Sequence, residues 1–110
     1  MTSKAIAEFD DIRSLAFSGI SGTYASVGSA TTVLTRAICF SNDTQGSMLF
    51  TNDITKDQIF VKSGSFKLFD VTSNMNNSKD DQFVLPQQMQ WSVKQLSAPV
   101  SGSVYIEILH

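Results

Sequence analysis

Two side chains in this sequence have the reactivity for nucleophilic or proton-transfer chemistry, Cys39 and His110, and each is the only residue of its type. A Ser-His-Asp relay needs its histidine held between a nucleophile and an acid. His110 is instead the final residue of the sequence. Cys39 stands within the most apolar run, where a small hydrophobe is the expected occupant. The carboxylate pairs Asp10-Asp11 and Asp80-Asp81 are of the type that shares glycosidic acid–base work. Both lie in polar surroundings that leave carboxyl groups near their ordinary range, and they read as solvated loop acids. Asn52, Asp53 and Asp57 form an oxygen-rich loop, but neither the spacing nor a closing glutamate matches a calcium loop. Gly19, Gly22 and Gly28 are loosely spaced and precede no helix start that would cradle a phosphate. The expectation is a protein that is not an enzyme, with no catalytic residue, metal ligand or cofactor.

The elements that must position these residues are strands. Seven or eight short apolar runs are separated by clusters of Gly, Asn, Asp, Ser and Thr, and no long amphipathic helical stretch interrupts them. Residues 12–18 alternate, with Leu15 and Phe17 facing inward. Residues 24–27 make a short piece closed by Gly28. Residues 32–40 are rich in β-branched types and apolar on both faces: Leu34, Ile38 and Phe40 on one, Val33, Ala37 and Cys39 on the other. That pattern predicts a central strand, or one covered by a partner. Residues 41–46 read as a turn cluster, and residues 47–51 as a strand with Met48 and Phe50 on one face. The next runs, 58–62 and 65–71, are joined by Ser63-Gly64, which is plausible hairpin chemistry. Phe66 and Leu68 there oppose Lys67 and Phe69. Residues 72–82 are the longest polar loop. Pro86 marks a strand end or edge. Met89, Trp91 and Val93 alternate with polar residues, as do Val104, Ile106 and Ile108 with Tyr105, Glu107 and Leu109. Trp91 reads as core; exposed, it or Tyr105 would offer an aromatic platform.

Strands at this spacing without crossover helices predict an all-β fold: a single antiparallel β-sandwich or jelly-roll-like barrel of seven or eight strands. The sandwich should span residues 12–110. Residues 1–11 should form an N-terminal arm or a short helix capped by Ser3. At 110 residues the chain suits one domain, burying about 65% of its unfolded surface. One cysteine precludes an intrachain disulfide and fits assembly in a reducing cytoplasm. The eight basic residues are scattered, which disfavours nucleic-acid binding. No apolar run approaches the ~18 residues of a membrane span, and no leader pattern is visible, so a soluble, unprocessed protein without membrane contact is expected. Charged residues make up only 16%, against about 25% in ordinary chains, which favours close association with neighbours.

Five elements in order carry a resemblance: Ser21-Gly22-Thr23-Tyr24 ending at Gly28, the Asn42-Asp43-Thr44 turn, Gly64-Ser65-Phe66-Lys67-Leu68-Phe69-Asp70, the run from Leu85-Pro86 through Trp91 to Val93-Lys94-Gln95, and Gly102-Ser103-Val104-Tyr105-Ile106-Glu107. Together they span nearly the whole chain, and the pattern resembles that of short virion structural proteins of tailed bacteriophages. The resemblance implies a virion component assembled in the host bacterial cytoplasm. It implies a capsid decoration (cement) protein that binds the shell and bridges neighbouring capsid subunits. The alternative is a head-fibre, neck or tail component acting as an adaptor or a host-glycan binding module. The expected partners are the major capsid protein or other virion proteins, with the protein a homo-oligomer. Expected interface residues are Ile6 and Phe9 in the arm, and Asn74, Asn76, Asn77 and Lys79 in the polar loop.

Overall fold

The last strand shows most simply how the chain organises itself. From Gly102 to Leu109 it alternates, Val104, Ile106 and Ile108 buried against Tyr105, Glu107 and Leu109 facing out. A strand with that period must lay its apolar side on a core. In the computed structural model, which describes residues 8–70, 85–86 and 88–110, eight such strands form two antiparallel four-stranded sheets. They are β1 (Arg13–Ala16), β2 (Ala25–Ser26), β3 (Ala37–Thr44), β4 (Met48–Thr51), β5 (Ile59–Val61), β6 (Ser65–Asp70), β7 (Ser92–Gln95) and β8 (Gly102–Leu109). The described residues contain one single-turn 3-10 helix, Phe17–Gly19, and no α-helix.

The sheet orders are β1-β8-β3-β6 and β2-β7-β4-β5. Strands one and eight, two and seven, three and six, and four and five are all paired. These are the successive rungs of one long hairpin whose tip is the β4–β5 turn. Wrapped around a core, alternate rungs fall into opposite sheets. The added pairs β3–β8 and β4–β7 then complete the two layers. This is the strand order of an eight-stranded jelly roll, and the two sheets remain an open sandwich, not a closed barrel.

Phe40 lies at the centre of the core. Its ring packs 4.9 Å from Trp91 and 5.1 Å from Phe50, centroid to centroid, at tilted angles favoured by aromatic quadrupoles. Met48, Val61 and Val93 from one sheet and Ile38, Ile106 and Ile108 from the other belong to the same buried cluster. Trp91 is thus core, as its alternation implies.

Three local expectations change. The strand expected over residues 32–40 begins at Ala37 and runs through the supposed turn to Thr44. Asn42 and Thr44 are turn-forming types, but here their side chains satisfy each other and nearby backbone inside the protein. Upstream, Thr31 and Thr35 are buried, and their backbones bond to Gln88, Met89 and Leu85. Second, Phe17 lies in the 3-10 turn and only Leu15 packs on the core. Third, Ser63-Gly64 does not close a hairpin: β5 and β6 belong to different sheets. Gly64, at φ 71°, turns the chain over the edge of the sandwich, and its N–H donates to the Asn42 carbonyl (2.9 Å). Gly102 makes a comparable corner before β8. At φ 89° its missing side chain leaves room for the Asp43 carbonyl, which a Cβ would meet at 1.8 Å.

Candidate functional site

Because β3 is central and alternates, its second face points away from the core. Cys39 lies across from Glu107 on β8 and from Leu68 on β6; Ala37 faces Leu109 and Asp70, and Ser41 faces Tyr105 and Phe66. These residues form the outer surface of β1-β8-β3-β6. Leu68 is 63% exposed, Phe66 66% and Ile12 64%. Phe9 is 83% exposed and stands over the end of β8, bridging to Leu109. The two-faced apolarity read over residues 33–40 holds from Ala37 on, with Ile38 and Phe40 in the core and Ala37 and Cys39 on the outer face. Leu34, grouped with Ile38 and Phe40 by alternation, precedes β3 and is exposed. Isolated exposed hydrophobes need no explanation, whereas several on one sheet face mark an interaction surface.

Phe9 holds its place through backbone pairing. Glu8 and His110 exchange two hydrogen bonds (2.7 and 2.8 Å), and the Asp10 N–H donates to the Ile108 carbonyl (2.9 Å). Residues 8–10 therefore continue along β8 in extended form, and are not helical. Of the interface residues expected from sequence, Phe9 is placed on this face. Ile6, Asn74, Asn76, Asn77 and Lys79 lie outside the described residues.

The groups with chemical potential are dispersed. Cys39 is half-buried on the outer face. Asp10 forms an ion pair with Arg13 at 3.0 Å. Burial pushes its carboxyl up, but the Arg13 hydrogen bond and charge outweigh this and hold it below the usual range. Asp53 accepts from the Thr55 hydroxyl (2.7 Å) and N–H (3.1 Å), and both bonds lower it. No group of three His, Cys, Asp or Glu side chains placed to hold a metal occurs among the described residues. The Trp91 indole is enclosed, and its N–H meets no acceptor among the described residues. An exposed platform at Trp91 is thus absent, while Tyr105 is half-buried between Ser14 and Ser41 on the outer face.

On the opposite sheet the fold assembles a cluster that sequence reasoning missed. The Tyr24 hydroxyl donates to Asp57 Oδ1 (2.7 Å), Lys94 Nζ lies 3.1 Å from the same oxygen, and Nζ sits 4.9 Å from the Tyr24 ring centroid. The Tyr24 hydrogen bond, then Lys94, lower the Asp57 carboxyl; burial, then Asp57, raise the Tyr24 phenol well above its usual range. All three polar groups are mutually engaged, so the cluster acts as a strut tying the β4–β5 loop to β2 and β7. Its members stand 33 and 37 positions apart in sequence, as 57 − 24 and 94 − 57 give. The only local signal was the outward position of Lys94 beside inward Val93.

Fold and surface together define a class: an antiparallel jelly-roll sandwich that presents one apolar outer sheet face. Comparison of the chain with protein-family models, with curated proteins and with solved structures found no match.

Proposed function

We propose that this protein is a virion structural protein of a tailed bacteriophage, a decoration or cement protein that binds the assembled capsid and bridges neighbouring subunits. The observation that carries the reading is the apolar outer face of β1-β8-β3-β6, with Phe9, Ile12, Phe66 and Leu68 presented together on a rigid sheet. A ligand that binds the lattice and not its free subunits stabilises the lattice by mass action, and needs a scaffold with a sticky side. The low charge content and the resemblance along the chain support the same reading. The jelly-roll order recurs in viral capsid proteins and in lectins, an analogy that adds support without assigning a role. A neck or tail adaptor would use the same face, and copy number separates the two.

The test is add-back to particles lacking the protein. Wild-type protein should bind at many positions spread over the shell, seen by cryo-imaging, and raise the temperature at which shells open. Leu68→Ser with Phe66→Ser removes exposed side chains worth about 1.5–3 kcal/mol each when buried in a contact. That variant should stay folded and bind at least roughly tenfold more weakly. Binding confined to one vertex assigns the neck or tail and refutes decoration; no binding to any particle refutes both.

A further inference from the structure

We infer that the outer face of β1-β8-β3-β6 takes an apolar–basic segment of the partner, with an apolar side chain seated over Cys39 and a lysine or arginine set against Glu107. The inference rests on the virion reading and specifies the chemistry of what that face meets.

Two hollows flank Glu107 on this face. One, of ≈ 320 Å³, has the small residues Ala37 and Cys39 as its floor and Phe9, Leu68 and Leu109 as its walls. The other runs along Phe9, Asp10, Asp11 and Ile12. Glu107 lines both hollows. The two linings hold Asp10, Asp11, Asp70 and Glu107 and no lysine or arginine. Asp10 is committed to Arg13. Glu107 has no ion-pair partner among the described residues, and it is exposed.

A carboxylate at the centre of an apolar surface repels like charge and is desolvated by any contact that does not answer it. A second copy seated face to face would bring Glu107 and Asp11 against the same acids, an arrangement that costs energy. A partner segment that alternates apolar and basic residues fills the hollow and neutralises Glu107 together. Charge complementarity therefore selects a basic partner over self-association through this face.

The experiment uses the full chain and the alkylation rate of Cys39, its only cysteine. The probes are a short extended peptide with a central leucine flanked by lysines, and a twin with glutamates in their place. At up to roughly 1 mM, the lysine peptide should slow alkylation several-fold and the glutamate twin should not. Glu107→Gln should weaken this protection roughly fivefold, and high salt should do the same. Equal protection by both peptides, no protection by either, or indifference to Glu107→Gln overturns the inference. So does a wild-type dimer in solution that Leu68→Ser dissolves, since the face would then belong to a second copy. Shells that bind wild type and Glu107→Gln alike at every salt concentration would refute the inference and leave the virion reading standing. Peptide protection without shell binding would do the reverse.

Discussion

Replacing Asn42 with alanine separates a buried structural residue from the turn residue that its type suggests. Asn42 is 1% exposed. Its Nδ2 donates to the carbonyls of Gly46 (2.8 Å) and Val61 (3.0 Å), and its Oδ1 accepts from the Thr44 N–H (3.1 Å) and hydroxyl (2.6 Å). These bonds join the β3–β4 corner to the end of β5, where the chain passes between sheets. Each is worth about 0.5–1.5 kcal/mol net, and the groups left behind are buried, which adds to the loss. The Thr44 hydroxyl lies 3.1 Å from the Gly46 carbonyl and can turn to it, recovering one bond. The balance is a loss of about 3 kcal/mol, a large share of a domain stability of about 5–15 kcal/mol. It corresponds to a fall in Tm of roughly 12–15 °C. An exposed turn residue would cost within about 0.5 kcal/mol. Urea unfolding followed by the fluorescence of Trp91, packed on Phe40, reads the difference. A loss below about 1 kcal/mol with unchanged denaturant slope would refute the reasoning. Thr44→Val removes the same hydroxyl bond from its other end, so the double variant should fall short of the sum by about 1 kcal/mol.

Gly102→Ala places a side chain at φ 89° and against the Asp43 carbonyl, so it should lose at least about 2 kcal/mol; a Tm within about 2 °C of wild type would contradict this. Asp57 has a folded pKa below its ordinary value, set first by Tyr24 and then by Lys94. Its contribution is therefore present above an unfolded pKa of about 3.9 and lost as pH falls through the lower folded value. The urea midpoints of wild type and Asp57→Asn should differ near pH 6 and converge near pH 2, and an equal gap at both would remove the strut from the account.

What the sequence disclosed and what it hid have separate physical causes. Alternation sorted Val104, Ile106 and Ile108 from Tyr105, Glu107 and Leu109, because a half-buried strand imposes a period of two and the residues obey it locally. The same alternation placed Trp91 and Val93 in the core. It failed at Asn42 and Thr44, whose types favour turns in isolation but whose side chains here find partners inside the fold. Ser63-Gly64 misled for a related reason. A corner between sheets and a hairpin use the same turn chemistry, and only the pairing of β6 with β3, distant in sequence, tells them apart. The outer face was half legible: the apolar types on both faces of residues 33–40 pointed to a central strand or one covered by a partner, and β3 is central, between β8 and β6. That Phe66 and Leu68 turn outward while Phe69 turns toward Phe40 depends on the register of β6, which no single strand reveals.

The two outer faces give the molecule a direction. On β2-β7-β4-β5 the outward charges are answered internally: Lys94 and Tyr24 both engage Asp57. On β1-β8-β3-β6, Glu107 has no ion-pair partner among the described residues and stands among Leu68, Cys39 and Ile12. A freely tumbling domain gains nothing from keeping apolar side chains in water around such a carboxylate, since each could be polar without touching the core. Core packing supplies the reason for Ile106 and Ile108, and none for Leu68 or Phe66, which contribute to stability only when something covers them. A shell-bound protein needs this asymmetry. In the proposed decoration role, the apolar sheet would face the lattice and the sheet with neutralised charges would face solvent, with the chain crossing between them at corners such as Gly64 and Gly102.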